Sequence, residues 1–136
     1  MPQDVAVIVG VGPGLGWALA KRFSAEGLQV ICAARSTERL QALATPGQLG
    51  AMGFQVCDST EAASVVDLFA SINDSVGPPA VVVFNVGAYE KGNILELRPE
   101  DFERCWRIGC FGGFLVGQAA ARLMVPRGSG RFTASI

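Results

Sequence analysis

Histidine is absent from the 136 residues of this chain, and tyrosine occurs only once. The absence of histidine excludes most zinc sites, Ser-His-Asp triads and Cys-His pairs. The four cysteines, at positions 32, 57, 105 and 110, form no Cys-x-x-Cys pair. Their spacing therefore favours free thiols over a metal site or a disulfide. Any chemistry must come from serine, tyrosine, lysine, carboxylates or a cofactor.

Charged residues are also few. The 11 Lys and Arg and 12 Asp and Glu residues give a net charge of −1, and no basic patch indicates nucleic acid or a membrane surface as a partner. The N-terminus lacks the basic and long apolar segments of a secretory signal. The longest apolar stretch, 108–121, is shorter than the roughly 20 residues of a membrane span and contains Gln118. We expect a soluble, cytoplasmic protein.

Half of the residues are hydrophobic, and they follow an alternation of strand and helix patterns. Short continuous apolar runs are typical of strands that are buried on both faces of a sheet. Five segments predict strands: 5–9, 29–34, 52–57, 80–84 and, more polar than the others, 131–136. Such an alternation predicts one α/β domain over residues 1–136, with helices on both faces of a parallel sheet.

Helix signals fill the intervals between these strands. Leu15, Leu19 and Phe23 recur every four residues, and Gly27 is placed to end their helix. Further candidate ends are Ser36 as cap of a second helix, Ser59 or Thr60 as cap of a third, and Pro99 at the start of a fourth that runs to about Met124.

A cluster of glycines lies between the first strand and the first helix. Gly10, Gly12, Gly14 and Gly16 occupy a turn where a helix N-terminus can receive a pyrophosphate. The spacing that fits is Gly10-x-x-x-Gly14-x-Gly16, because Leu15 stands where a strict Gly-x-Gly-x-x-Gly motif would need glycine. Two interpretations stay open: a phosphate-binding turn, or a turn whose glycines serve packing alone.

The end of the second strand bears on the cofactor. A domain that binds NAD usually places an acid there for the ribose 2′-hydroxyl, whereas this chain has Arg35 and Ser36. A guanidinium and a hydroxyl suit a 2′-phosphate, so these residues favour NADP over NAD. The alternative is that Arg35 is a solvated surface residue and Ser36 only a helix cap.

Several motifs together resemble the short-chain dehydrogenase/reductase family. They are the glycine turn, Asp58 just past the third strand, and Asn85-Val86-Gly87 after the fourth. The resemblance implies a Rossmann-like doubly wound sheet of strand order 3-2-1-4-5. It also implies that Asp58 contacts adenine and that the Asn85 segment steadies the central strand beside the cofactor. The implied cofactor-binding residues are Gly10, Gly12, Gly14, Leu15, Gly16, Arg35, Ser36, Asp58, Asn85 and Gly87.

The resemblance also implies an activity and a mode of assembly. A complete member of the family would transfer a hydride between NADP(H) and a carbonyl or alcohol. The helix that corresponds to 99–124 commonly forms a subunit interface in the family, so a homo-oligomer is expected.

The chain departs from the family pattern at its catalytic positions. Val9 replaces a threonine, Gly109 aligns with the catalytic asparagine, and Tyr89 is followed four residues later by Asn93 rather than lysine. The family's Tyr-Lys pair supplies acid–base catalysis. Ser135 falls about where the fifth strand delivers the catalytic serine, or it is only a terminal residue.

These departures predict an incomplete domain. We expect the N-terminal, cofactor-binding half of a short-chain dehydrogenase/reductase, with strands one to five only and no catalysis by this half alone. The alternative is a non-catalytic nucleotide-binding or interaction module.

Overall fold

The computed structural model describes residues 3–43 and 52–135. Strands and helices alternate along these residues. In chain order they are β1 (Val5–Val9), α1 (Leu15–Ala25), β2 (Gln29–Ala34), α2 (Glu38–Leu43), β3 (Met52–Val56), α3 (Ala62–Ser75), β4 (Val81–Phe84), α4 (Pro99–Trp106), α5 (Gly112–Arg127) and β5 (Arg131–Ala134). A π-helical turn, Arg107–Phe111, joins α4 to α5 without a break.

The strands form one parallel sheet of order β3-β2-β1-β4-β5. This order confirms the predicted doubly wound class. Val7, in the middle of β1, lies opposite Ile31 of β2 and Val82 of β4. The order reverses between β1 and β4, and in open sheets of this kind a crevice for ligands forms at the carboxyl ends of the strands at that point.

Burial on both faces explains the continuous apolar run of the first strand. All five residues of β1 are buried. On one face, Val7 belongs to a core cluster with Ile72 of α3 and Val116 of α5. On the other face, Ile8 packs in a cluster with Trp17 of α1. Burying each such side chain stabilises the fold by roughly 1.5–3 kcal/mol.

Two helix ends differ from the expectations, and one agrees. Gly27, with φ of +89°, follows the end of α1 as expected. However, α2 begins at Glu38, so Thr37 rather than Ser36 precedes it. The long helix continues past Met124 to Arg127 and ends at Gly128, where φ is +76°.

The predicted cap of the third helix is also wrong. Glu61 occupies the N-cap of α3 and makes no side-chain cap bond. Thr60 instead donates to the carboxylate of Asp58, and Ser59 is buried. Thr60, one of the predicted caps, therefore bonds to Asp58 instead of capping α3.

The predicted fifth strand, 131–136, is present but shorter than expected, since β5 ends at Ala134. All four residues of β5 are exposed. The last predicted strand residue, Ile136, lies outside the described residues.

The segment Pro99–Arg127 is long and apolar enough to cross a membrane by length and composition, which the sequence expectation had not foreseen. Within it, Val116 and Ala120 are fully buried in the core cluster that also contains β4 and α3 residues. However, only 28% of its most apolar window is buried in the structure, and a single helix of this kind is weak evidence for a membrane span.

Candidate cofactor-binding site

A cleft of about 980 Å³ opens where the parallel strands β1 to β4 end. Its walls come from the turns that follow these strands and from the long helix. All ten residues predicted to bind a cofactor line this cleft: Gly10, Gly12, Gly14, Leu15, Gly16, Arg35, Ser36, Asp58, Asn85 and Gly87. The topology brings them together because every parallel strand delivers its following turn to the same edge of the sheet.

Two of the turn glycines are required by packing inside the protein. Gly10 has a φ of +94°, and a Cβ there would overlap the main chain of Asn85. A Cβ on Gly16 would lie 2.8 Å from the carbonyl oxygen of Gly10. Glycine at these positions lets the turn lie against both the start of α1 and the end of β4.

The other two glycines face open space. A Cβ on Gly12 or Gly14 would have no heavy atom of the described chain within 4 Å. Gly14 is the N-cap of α1 and makes no side-chain cap bond. The first N–H groups of a helix have no intrahelical partner, and such a helix end attracts anions. Packing therefore accounts for Gly10 and Gly16 but not for Gly12 and Gly14, and the turn fits a bound phosphate group.

Arg35 and Ser36 lie exposed on the rim of the cleft, directly after β2. Within residues 3–43 and 52–135, Arg35 forms no ion pair with a carboxylate. Its positive charge helps to lower the pKa of Asp58 across the cleft. Arg35 therefore places an exposed positive charge at the rim of the cleft, where an anionic group of a ligand can pair with it.

Asp58 is held by the residues that follow it. Its Oδ1 accepts hydrogen bonds from the hydroxyl of Thr60 at 2.7 Å and from the N–H of Thr60 at 3.0 Å. These bonds, and then the charges of Arg35 and Arg107, hold the pKa of Asp58 below its usual value. The carboxylate is therefore ionised at neutral pH. Oδ2 accepts no hydrogen bond from the described part of the chain, which leaves it available to a ligand.

Asn85 connects the glycine turn to the end of β5. Its Nδ2 donates to the carbonyl oxygen of Gly10 at 3.1 Å, and its Oδ1 accepts a hydrogen bond from the hydroxyl of Ser135. The N–H of Ser135 donates to the carbonyl oxygen of Phe84 at 2.9 Å. Ser135, the predicted catalytic serine, contacts the site through Asn85 and is not among the residues that line the cleft.

The long helix contributes cleft residues that the sequence reasoning missed. Arg104, Arg107 and Ile108 line the cleft. Arg107 donates to the carbonyl oxygen of Thr60 at 3.4 Å, and its guanidinium lies 5.1 Å from the ring centre of Phe111. The spacing of three and four residues places all three side chains on one helix face, and this signal was readable in the sequence.

Tyr89 and Gly109 mark two separate departures from the family's catalytic pattern. Tyr89 is 84% exposed in the loop after β4, and Gly109 lies within the π turn. Neither lines the cleft. The four cysteines are free, and burial raises the pKa of the Cys32 thiol to about 12, so that thiol stays protonated and unreactive.

The sequence of the chain was also compared with known protein families. The family described as short chain dehydrogenase matches residues 4–135. This chain belongs to the short-chain dehydrogenase family. The membership confirms the resemblance read from the glycine turn, Asp58 and Asn85-Val86-Gly87.

Proteins similar to this chain include a named dehydrogenase and several solved structures. Gluconate 5-dehydrogenase of Gluconobacter oxydans is 29% identical over 93% of this chain and 50% of its own length. A short-chain type dehydrogenase/reductase of Mycobacterium marinum superposes with a TM-score of 0.91 at 30% identity, over 98% of this chain and 55% of its own.

A third similar protein was crystallised with bound molecules. Gluconate 5-dehydrogenase of Burkholderia cenocepacia, in complex with NADP and tartrate, superposes with a TM-score of 0.87 at 28% identity, over 98% of this chain and 53% of its own. The chain spans about half the length of these three proteins.

Proposed function

We propose that this chain binds NADP(H) in the cleft, as the cofactor-binding half of an oxidoreductase that acts on a carbonyl or alcohol substrate. The observation that carries the proposal is the pair of open glycines, Gly12 and Gly14, at the N-terminus of α1, which has no side-chain cap. In this role the first turn of α1 would hold the pyrophosphate, and Asp58 would contact the adenine. When bound, the cofactor supplies or accepts the hydride.

The preference for NADP over NAD is proposed from the rim after β2. Arg35 and Ser36 offer a guanidinium and a hydroxyl, and no acidic residue stands at the end of that strand. A guanidinium suits a 2′-phosphate better than a 2′-hydroxyl. The gluconate 5-dehydrogenase relative crystallised with NADP supports the same choice.

A titration with two nucleotides tests this preference. The wild-type chain should bind 2′,5′-ADP more tightly than 5′-AMP, because a hydrogen bond to a charged group contributes about 1.5–3 kcal/mol. The Arg35→Asp variant should reverse the order. Arg122→Asp makes the same charge change at an exposed position of α5 outside the cleft and should leave the order unchanged. Equal wild-type affinities for both nucleotides would refute the preference.

A second candidate function is a nucleotide-binding module without hydride transfer. The exposure of Tyr89 and the missing side chain at Gly109 favour it, since the chain then lacks a positioned acid–base group. We expect the 136-residue chain to bind NADPH without oxidising it in the presence of aldehydes or ketones, as followed by NADPH absorbance. The assignment of Ser135 as a catalytic serine stays a prediction. Turnover that disappears in Ser135→Ala or Tyr89→Phe would contradict the second candidate.

We also propose that copies of the chain associate through the long helix. Phe102 and Phe114 are 66% and 58% exposed on α4 and α5, and exposed apolar surface of this kind marks contact sites. Light scattering should give a dimer or larger species, and Phe102→Glu with Phe114→Glu should reduce the mass. A wild-type monomer would contradict the proposal.

We also propose a cytoplasmic location. The free cysteines fit the reducing conditions of the cytoplasm.

A further inference from the structure

The side chain of Asn85 fills the space between the glycine turn and the end of β5. Its Nδ2 lies 3.1 Å from the carbonyl oxygen of Gly10, and its Oδ1 contacts the hydroxyl of Ser135. A Cβ on Gly16 would come within 3.2 Å of the same Nδ2. The amide is therefore enclosed by the turn on one side and by the end of β5 on the other.

The chemistry of the groups determines the direction of both hydrogen bonds. A backbone carbonyl only accepts, so the amide nitrogen of Asn85 must face Gly10. The amide oxygen then faces Ser135, and because that oxygen also only accepts, the Ser135 hydroxyl must donate. The proton of Ser135 is thus committed to Asn85.

We propose that Ser135 is a positioning residue, which holds Asn85 against the carbonyl of Gly10 and so fixes the shape of the glycine turn. Ser135 does not line the cleft, so any effect of its hydroxyl on a ligand passes through Asn85. The expected effect of Ser135 on nucleotide affinity rests on the proposed function. The expected effect of Ser135 on the hydrogen bonds of the glycine turn does not.

The ligand-free protein gives the first test. The N–H of Gly10 donates to the carbonyl oxygen of Ala33 at 2.8 Å, and the N–H of Asn85 donates to that of Val9 at 2.7 Å. Amide hydrogen exchange measured by NMR should be faster at both N–H groups in Ser135→Ala, by about fivefold, which is the size typical of one neutral hydrogen bond.

Two variants serve as controls in the exchange experiment. Thr133→Val removes another hydroxyl of β5, one with no hydrogen bond to Asn85, and should leave both exchange rates unchanged. Ser135→Thr keeps the donor hydroxyl and should restore wild-type rates. Unchanged rates in Ser135→Ala would overturn the proposal, as would an equal change in Thr133→Val.

Nucleotide binding gives the second test. Ser135→Ala should bind 2′,5′-ADP about fivefold more weakly, and in an Asn85→Leu background it should cause no further loss. Additive losses would overturn the link through Asn85. If Asn85→Leu does not fold, recovery of affinity in Ser135→Thr decides instead. Failure of the wild-type chain to bind 2′,5′-ADP would count against the proposed function only, because the exchange rates still decide the role of Ser135.

Discussion

Gly10 and Gly16 differ from Gly12 and Gly14, although all four lie within seven residues, 10–16, where β1 leads into α1. A Cβ at the first two would overlap or crowd the protein's own main chain, whereas a Cβ at the other two would meet open space. The first pair is constrained by packing inside the protein, whereas no such packing with the described residues constrains the second pair, which borders the cleft. A single motif therefore contains two requirements that mutations can separate.

The same contrast extends across the rest of the site. Asn85 has both ends of its amide bound within the protein, whereas Arg35 has no ion-pair partner in the described chain. Asp58 belongs to both groups, because one carboxylate oxygen is bound by Thr60 and the other is open. Substitutions at these residues should show the same division between stability and binding.

The largest effect is expected for Gly10→Ala. The residue has a φ of +94°, and the added Cβ would overlap Asn85, so backbone strain and overpacking add together. Each costs about 1–3 kcal/mol. We expect urea denaturation to show a free energy of unfolding lower by roughly 2–6 kcal/mol. A loss below about 0.5 kcal/mol, the range of ordinary surface substitutions, would remove the distinction between the two pairs.

A smaller effect, of a different kind, is expected for Gly12→Ala and Gly14→Ala. The free energy of unfolding should stay within about 0.5 kcal/mol of wild type, while the affinity for 2′,5′-ADP falls by about tenfold because the methyl group occupies phosphate space. Gly109→Ala is a matched control, since its Cβ also meets open space but lies outside the cleft. Equal affinity in all three variants would show that the open glycines do not face the ligand.

The smallest effect is expected at Asp58, in Thr60→Val. The pKa of Asp58 is lowered in the folded state, so its contribution to stability is present above the unfolded pKa of about 3.9 and is lost as the pH falls through the folded pKa. The variant should raise the pKa of Asp58 and reduce stability at neutral pH by less than about 1 kcal/mol.

Carboxyl-carbon NMR titration measures that pKa directly. Thr60→Ser keeps the donor hydroxyl and should preserve the wild-type pKa. A stability difference between wild type and Thr60→Val that persisted below the measured pKa of Asp58 would assign the effect to packing of the methyl group that replaces the hydroxyl instead.

Much of the fold could be predicted from local pattern. The apolar runs of β1, β2 and β4 are continuous because helices cover both faces of the sheet, and this burial leaves a direct trace in the sequence. The turns after parallel strands share one edge, which brings the predicted site residues together at the cleft. The strand order and the roles of Asp58 and Asn85 came from the resemblance to the family and not from local pattern.

What could not be predicted depends on which partner each side chain meets in the fold. The cap of α3 was wrong because Thr60 bonds to Asp58 instead. The link between Asn85 and Ser135 joins residues 50 positions apart, and no periodicity reports such a pair. The helix face formed by Arg104, Arg107 and Ile108 was missed although its spacing was visible in the sequence. A helix pattern shows which residues share a face, but it does not show which part of the protein that face contacts.

The stack on the long helix gives this protein an optical reporter. Trp106 is 46% exposed and its ring stacks on that of Phe111 at 5.7 Å, and Arg107 of the cleft wall lies against the same phenyl ring. The other tryptophan, Trp17, is buried against Phe54 on the opposite side of the sheet. A ligand that displaces Arg107 should change the fluorescence of Trp106 and leave that of Trp17 constant, so a Trp17→Phe variant would report cleft occupancy from a single emitting residue.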